Sequence, residues 1–237
     1  MSAMFDEKNL LLYLCTDRAL ARGRSLEALV EAAIKGGVTM VQLREKEMNA
    51  RDFLKAARAM RALTKRLGVP LIINDRVDIA LTAGADGVHL GGGDLPVRAA
   101  RELAGGRLFI GATARSVEAA RAAKEAGADY LGVGAMFPTG TKSDTVTIGP
   151  AALGAIREAT GLPMVGIGGV NEKNAASVIR AGASGVAVVS AILSRDDAEA
   201  AARAIRTVVE DAMRRAAESA RGAASDRFIR PESGNPG

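Results

Sequence analysis

Short apolar segments alternate with longer segments of mixed polarity along most of the chain. The short segments have strand length, and most are continuously hydrophobic, which is typical of parallel strands that are covered on both faces. We predict eight strands, over residues 11–16, 39–44, 70–74, 87–90, 108–112, 130–134, 164–168 and 185–190. The segments between them have helical patterns. In residues 50–67, for example, Phe53, Ala57 and Met60 recur at spacings of four and three and line one helix face.

A short motif repeats where predicted helices lead into predicted strands, at residues 83–88, 126–131 and 181–186, with a looser version at 35–38. Each copy has a glycine just beyond the helix, where a left-handed backbone conformation is favourable. Short turns before the strands and longer, varied loops after them are typical of a barrel of eight β/α units. We therefore predict an α/β fold consisting of a single (β/α)8 TIM barrel. A doubly wound open sheet is the alternative, and eight evenly spaced units count against it.

The barrel pattern covers only part of the chain. It occupies residues 10–212, after an N-terminal extension over residues 1–9. From residue 213 onward the apolar pattern fails in an Arg-rich and Ala-rich stretch that ends in Pro and Gly. We expect residues 213–237 to form a disordered tail outside the barrel.

Composition narrows the classes of function. The 237 residues include a single cysteine, Cys15, which excludes an intrachain disulfide framework and indicates a reducing compartment such as the cytoplasm. No apolar run is long enough to cross a membrane, and the N-terminus lacks a signal-peptide pattern, so we expect no membrane partner. The net charge is +5, but 27 acidic residues are mixed with 32 basic ones and only 3% of residues are aromatic. This mixture of charges and the scarcity of aromatic residues argue against a nucleic-acid partner and suit small phosphorylated ligands.

Polar residues gather at the predicted carboxyl ends of the strands, where a barrel places its chemistry. Asp75 and Asp94 follow neighbouring strands 3 and 4, so they can share one hard cation that keeps part of its water shell. Cations and hydroxyl or amide groups accompany them at the other strand ends, and these are Gln42, Arg44, Lys46, Asn74, Thr113, Arg115, Thr139, Thr141 and Lys142. Two acids with several cations suit a metal ion bridged to phosphate groups.

Each of these residues also has a purely structural interpretation. Asp75 and Asp94 could be helix caps, and the glycines at 91–93 could form a simple turn. His89 is the only histidine in the chain, and its place between Val88 and Leu90 favours a packed, hydrogen-bonded residue. For Cys15 we favour a structural role over that of a nucleophile. The glycines after strand 7 and the end of strand 8 are stronger candidates, because this fold recurrently binds phosphate there.

Seven strings occur in register on consecutive predicted strands. They are LYLCTD at 12–17, VQLREK at 41–46, LIINDR at 71–76, DGVHLG at 86–91, YLGVGAMFPTGTK at 130–142, VGIGGV at 165–170 and GVAVVS at 185–190. Together they resemble the thiamine phosphate synthase family over roughly residues 10–210. The resemblance implies a transferase that joins 4-amino-2-methyl-5-(diphosphooxymethyl)pyrimidine to 4-methyl-5-(2-phosphooxyethyl)thiazole. The implied products are thiamine phosphate and pyrophosphate, the implied cofactor is Mg²⁺, and the implied mechanism is dissociative.

The resemblance also assigns roles to individual residues. The pyrimidine pyrophosphate would contact Gln42, Leu43, Arg44, Glu45, Lys46, Asn74, Thr113 and Lys142, and Mg²⁺ would bind Asp75 and Asp94. The thiazole phosphate would contact Thr139, Gly140, Thr141, Gly169, Val189 and Ser190. Direct catalytic roles fall to Arg44, Lys46, Thr113 and Lys142. A departing polyanion needs cations and hydrogen-bond donors, and this agrees with the residue types at the strand ends.

Two stretches depart from the family pattern. Residues 91–94 read Gly-Gly-Gly-Asp where the family has Gly-Gln before the second metal carboxylate, and we expect a more mobile loop there. Residues 142–147 lack the expected proline. Both departures affect loop closure and affinity more than the type of reaction.

Three other functions compete with synthesis of thiamine phosphate. The related thiazole tautomerase uses a histidine where this chain has Ala135. A non-catalytic phosphate-ligand sensor would need no metal pair, and Asp75 with Asp94 argues against it. A barrel enzyme of tryptophan synthesis would need a carboxylate acid or base near strand 1 or 2, for which Glu45 and Glu47 are poor candidates. The sequence leaves open whether the chain forms a homo-oligomer.

Overall fold

The computed structural model describes residues 5–139 and 146–229, except for the side chains of residues 220 and 222–229. Within these residues, eight parallel strands form a closed barrel in chain order, and β1 pairs with both β2 and β8. The strands are β1 (Leu12–Cys15), β2 (Met40–Leu43), β3 (Leu71–Asn74), β4 (Gly87–Leu90), β5 (Phe109–Ala114), β6 (Tyr130–Gly134), β7 (Met164–Ile167) and β8 (Gly185–Val188). The predicted single (β/α)8 barrel is confirmed.

Helices connect the strands and surround the barrel. They are α1 (Leu26–Lys35), α2 (Ala50–Arg66), α3 (Val77–Ala83), α4 (Val97–Ala104), α5 (Val117–Glu125), α6 (Ala151–Thr160), α7 (Ala175–Arg180), α8 (Ser190–Leu193) and α9 (Ala198–Ile229). The side chains of Ser25, Asn49 and Ser116 cap the first turns of α1, α2 and α5. In the repeated motif, the glycines at 84, 127 and 182 all have positive φ, as the sequence predicts for these turns.

Two strand ends differ from the prediction. Strand β5 continues to Ala114, so Thr113 lies within the strand rather than after it. Strand β8 ends at Val188, and Ser190 begins the short helix α8. Both differences arise because polar residues at the mouth do not mark where the backbone pairing of a strand stops.

The core has two layers. The larger layer lies between the strands and the helices and includes Leu43, Phe53 and Met60. The smaller layer fills the barrel interior, where Tyr13 and Tyr130 are fully buried beside Cys15. Cys15 is buried in this layer and also lines the cavity described below, so its structural role stays a prediction.

The N-terminal segment packs against the barrel. The ring of Phe5 stacks on Tyr130, with ring centroids 5.2 Å apart and an angle of 9° between the planes. Phe5 also meets Phe109 edge-on at 5.2 Å. The boundary proposed before residue 10 therefore marks the start of the strand pattern and not the start of packing.

Helix α9 crosses the proposed boundary after residue 212 and continues to Ile229. The first part of the predicted tail is therefore helical instead of irregular. This stretch is rich in Ala, Arg and Glu, whose high helix propensity needs no apolar periodicity. Among the described side chains, burial stops near the boundary, because Ala212 is buried, Met213 is half-buried and residues 214–219 are exposed. The tail beyond residue 229 lies outside the described residues.

None of the helices within the described ranges combines the length and the apolar character that crossing a membrane requires.

Candidate active site

A cavity of about 720 Å³ opens at the carboxyl ends of the strands. Its lining brings together twelve of the residues that the sequence nominates. These are Gln42, Arg44, Lys46, Asn74, Asp75, Asp94, Thr113, Arg115, Thr139, Gly169, Val189 and Ser190. They come from seven different strands or the loops that follow them, and the closed barrel makes them neighbours.

Two nominated residues do not line this cavity. The side chain of Leu43 points outward into the layer between strands and helices, as alternation along β2 requires when Gln42 points inward. The Glu45 carboxylate is paired with Arg18 at 2.7 Å. Any contact of these two residues with a substrate stays a prediction. Gly140, Thr141 and Lys142 lie outside the described residues.

The Asp75 and Asp94 carboxyl groups are adjacent at the ends of β3 and β4, and each shifts the pKa of the other. Burial raises the pKa of Asp94, and the neighbouring Asp75 carboxylate adds to the rise. Burial acts in the same direction on Asp75, but the interactions with Asp94 and with the Lys46 ammonium outweigh it and lower the pKa of Asp75. The two carboxyl groups therefore compete for one proton, and a cation between them would relieve that competition.

Neither carboxylate caps a helix. The N-cap of α3 is Arg76 and that of α4 is Pro96, and neither helix has a side-chain cap. Asp94 instead accepts a hydrogen bond at 2.7 Å from the backbone N–H of Gly91. This contact closes the glycine loop on itself and holds the carboxylate at the mouth. The capping interpretation that the sequence leaves open is therefore wrong for both residues.

The cations at the mouth leave donors available for an anion. The Nε of Arg44 is buried and has no hydrogen-bond partner among residues 5–139 and 146–229, while its guanidinium reaches Asp17 at 3.5 Å. A buried, unpaired donor is unfavourable unless a ligand satisfies it. Lys46 is paired with Asp75 but half its side chain is exposed, and Arg115 also lines the cavity. Positive charge thus surrounds the carboxylate pair.

The opposite side of the cavity is formed by the loops after β6, β7 and β8. The backbone at Gly169 has positive φ, and a Cβ there would lie 2.6 Å from the carbonyl oxygen of Pro138. Only glycine therefore allows this close approach of the two loops. Asn174 holds the Gly169 carbonyl with a hydrogen bond of 2.9 Å. Val189 and Ser190 line the same side, where the first N–H groups of α8 have no partner within the helix.

Sequence reasoning missed several residues of the cavity. Asn171 and Lys173 line it and directly follow the glycine loop of β7, so their position after a strand was the available signal. Tyr13 forms part of the floor and gives no such signal, because it lies inside an apolar strand. His89 is packed and hydrogen-bonded as expected, yet it also lines the cavity.

The carboxylate pair fits Mg²⁺ better than it fits a metal ion that takes most of its ligands from protein side chains. No group of three or more His, Cys, Asp or Glu side chains suited to a metal occurs in residues 5–139 and 146–229. Mg²⁺ commonly binds one or two carboxylates and takes its remaining ligands from water and substrate phosphates. Asp75 and Asp94 supply that donor set.

The sequence and fold are similar to those of known proteins. A thiamine-phosphate synthase of Chloroflexus aurantiacus is 53% identical over 199 residues, covering 84% of this chain and 92% of the relative. One of Clostridium novyi is 49% identical over 201 residues, covering 84% of this chain and 98% of the relative. The solved thiamine phosphate pyrophosphorylase of Pyrococcus furiosus has a TM-score of 0.82 and 39% identity, covering 87% of this chain and 98% of its own.

The family model described as thiamine monophosphate synthase matches residues 12–192. This range spans every strand of the barrel and reaches into α8. Together with relatives near 50% identity, the match confirms the resemblance seen in the seven sequence strings. The chain therefore belongs to the thiamine monophosphate synthase family.

Proposed function

We propose that the chain joins 4-amino-2-methyl-5-(diphosphooxymethyl)pyrimidine to 4-methyl-5-(2-phosphooxyethyl)thiazole and releases thiamine phosphate and pyrophosphate. The observation that carries the proposal is the meeting of a carboxylate pair with the cationic side chains of Arg44, Lys46 and Arg115 at one mouth of the barrel. Such a site suits a pyrophosphate group bridged to Mg²⁺. Membership of the family supports the same reaction.

The pyrophosphate would lie beside Asp75 and Asp94. When bound there, Mg²⁺ would neutralise charge on the pyrophosphate oxygens. The buried Nε of Arg44 would then find an acceptor, and Lys46 would share its ammonium between Asp75 and the anion. We assign Gln42, Asn74, Thr113 and Lys142 to the same substrate half.

The chemistry needs stabilisation of a leaving group more than a nucleophile from the protein. The methylene C–O bond breaks and its electron pair leaves with pyrophosphate, while the pyrimidine stabilises the cation. The thiazole nitrogen then supplies the electron pair of the new C–N bond. Arg44, Lys46, Thr113 and Lys142 would act on the leaving group, because negative charge grows there in the transition state.

The thiazole phosphate would bind on the opposite side of the cavity. Gly169, Val189 and Ser190 offer backbone N–H groups there, and the side chain of Thr139 lies nearby in the lining. We assign Gly140 and Thr141 to the same subsite. Lys173 lines the cavity next to this loop, together with the neighbouring carboxylate of Glu172.

The test is direct synthesis. The protein is incubated with both phosphorylated halves and Mg²⁺, and thiamine phosphate is measured. We expect product only when both halves and the metal are present. Product formed with either half alone, or equally well in chelator, would overturn the proposed reaction.

Two matched variants locate the site. Arg44→Ala removes the buried unpaired donor and should abolish most of the activity. Arg76→Ala removes a cation of the same type from the exposed pair with Asp78, outside the cavity lining, and should leave the rate unchanged. Equal loss in both variants would contradict the assigned location.

A further inference from the structure

A chain of hydrogen bonds crosses the barrel interior beneath the cavity. The Nε2 of Gln42 donates to the hydroxyl of Tyr13 at 2.6 Å, and this hydroxyl lies 3.0 Å from that of Tyr130. The Tyr130 hydroxyl lies 3.2 Å from Nδ1 of His89. The Nε2 of His89 lies 3.1 Å from the hydroxyl of Thr113. The chain links β2, β1, β6, β4 and β5, so it joins opposite walls of the site.

The backbone makes room for these side chains. A Cβ at Gly111 would lie 2.2 Å from the Tyr130 ring and 2.5 Å from Nδ1 of His89. A Cβ at Gly132 would lie 2.9 Å from the His89 ring. Two glycines on neighbouring strands thus leave the space that Tyr130 and His89 occupy. Below them, Phe5 stacks on Tyr130 and limits the positions that the ring can take.

One direction along the chain lets each tyrosine hydroxyl both accept a hydrogen bond and donate one. Each tyrosine hydroxyl has a single proton to donate. Because Tyr13 accepts from Gln42, its proton is available to Tyr130, and the Tyr130 proton is then available to Nδ1 of His89. Burial raises the pKa of both tyrosines well above the ordinary value, so both hydroxyls keep their protons.

The direction fixes the proton on the histidine. If Nδ1 accepts from Tyr130, the proton of the neutral imidazole is on Nε2, and His89 donates to Thr113. Thr113 then accepts from His89 and keeps its own hydroxyl proton for the cavity that it lines. The reverse tautomer would make Nε2 an acceptor and draw the Thr113 proton away from the cavity.

We propose that Tyr130 is a positioning residue that holds His89 in the Nε2–H tautomer and thereby keeps Thr113 as a hydrogen-bond donor to the substrate. The inference rests on the proposed function only in its last step, where Thr113 donates to pyrophosphate. Tyr130 itself lies in the buried interior and acts through its neighbours.

The single histidine of the chain makes the tautomer directly measurable. In ¹⁵N-labelled protein, two-dimensional NMR correlates the imidazole nitrogens with the ring protons and reports which nitrogen carries the proton. At neutral pH we expect one neutral imidazole with the proton on Nε2. A proton on Nδ1, or on both nitrogens, in the unaltered protein overturns the proposal, whatever the variants do.

Tyr130→Phe removes the hydroxyl and keeps the ring. We expect the Nε2–H tautomer to lose its dominance in this variant. The control is Phe5→Leu, which alters packing on the same ring and leaves every hydroxyl in place, and here the tautomer should be retained. An unchanged tautomer in Tyr130→Phe, or the same change in both variants, would overturn the proposal.

Kinetics test the last step separately. Tyr130→Phe should lower kcat roughly ten-fold, below the 10²–10³-fold typical of removing a direct donor, with little change in KM for the thiazole phosphate. In a Thr113→Val background, which has no hydroxyl to orient, the same substitution should have almost no further effect. Equal losses in both backgrounds would contradict the coupling.

The NMR and the synthesis assay can fail independently. The expected tautomer in a protein that makes no thiamine phosphate would leave the hydrogen-bond chain standing and remove the proposed function. An active protein with the other tautomer would keep the function and overturn this inference.

Discussion

Lys46 donates a hydrogen bond from its ammonium group to the carboxylate of Asp75 and so ties the end of β2 to the end of β3. Asp75 has a positive φ of 64°, a conformation that aspartate tolerates better than most residues. The turn and the ion pair together hold its carboxylate beside Asp94. A cation entering this site would therefore meet two carboxylates. The neighbouring Lys46 ammonium would be positioned to contact the pyrophosphate group of the proposed substrate.

Asp75 and Asp94 should behave as one metal site. We expect Asp75→Asn and Asp94→Asn each to lower kcat by roughly 10²-fold or more and to raise the Mg²⁺ concentration needed for half-maximal rate. The double variant should be hardly worse than the poorer single variant, because residues that serve one ion are not additive. Rates across a Mg²⁺ titration provide the measurement.

Asp78→Asn is the matched control for the carboxylate pair. Asp78 lies in the first turn of α3 and pairs with Arg76 at the surface, so its loss should leave the metal requirement unchanged. Additive losses at Asp75 and Asp94 with an unchanged Mg²⁺ midpoint would contradict a shared ion.

Lys142→Ala should slow the chemical step more than it weakens binding of the thiazole phosphate. The charge of Lys142 is needed most while negative charge builds on the departing pyrophosphate. Single-turnover rates and thiazole phosphate binding give the two quantities. Lys35→Ala, at the end of α1 and paired with Glu31, is the control. A single-turnover rate close to that of the unaltered protein would mean that Lys142 has no role in the chemical step.

Phe5→Ala should destabilise the barrel although residue 5 precedes the first strand. Its two aromatic contacts, with Tyr130 and Phe109, are worth about 0.5–1.5 kcal/mol each beyond area burial. For a domain of this size that corresponds to a fall in Tm of roughly 2–12 °C. Leu103→Ala, which trims an exposed leucine on α4, should leave Tm unchanged. An unaltered Tm in Phe5→Ala would show that the N-terminal segment contributes no packing energy.

Ending the chain after Arg215 should leave activity and Tm nearly unchanged. Ala212 is the last buried position among the described side chains of α9, and residues 214–219 are exposed, so we expect the removed part to share no core. Calorimetry and the synthesis assay on the shortened chain test this. A large loss of either quantity would show that the C-terminal segment docks, for example across a subunit interface.

The sequence by itself determined the barrel and its family. Continuous apolar strands, amphipathic helices and repeated glycine turns are local patterns, and each can be read from neighbouring residues because backbone geometry sets their period. The same reasoning located twelve of the residues that line the cavity, since the carboxyl ends of parallel strands must meet at one end of a barrel.

Where one local sequence pattern allows two interpretations, only the tertiary structure decided between them. Asp94 before a helix could be a cap or a ligand, and the choice depends on its place beside Asp75, nineteen positions away in the sequence. His89 in an apolar strand shows its partners only when β4, β5 and β6 are in register. Leu43 points away from the cavity because side-chain direction alternates along a strand. Glu45 does not line the cavity because its carboxylate pairs with the partly exposed Arg18. Contacts between distant residues depend on strand order, register and side-chain direction, which no local pattern specifies.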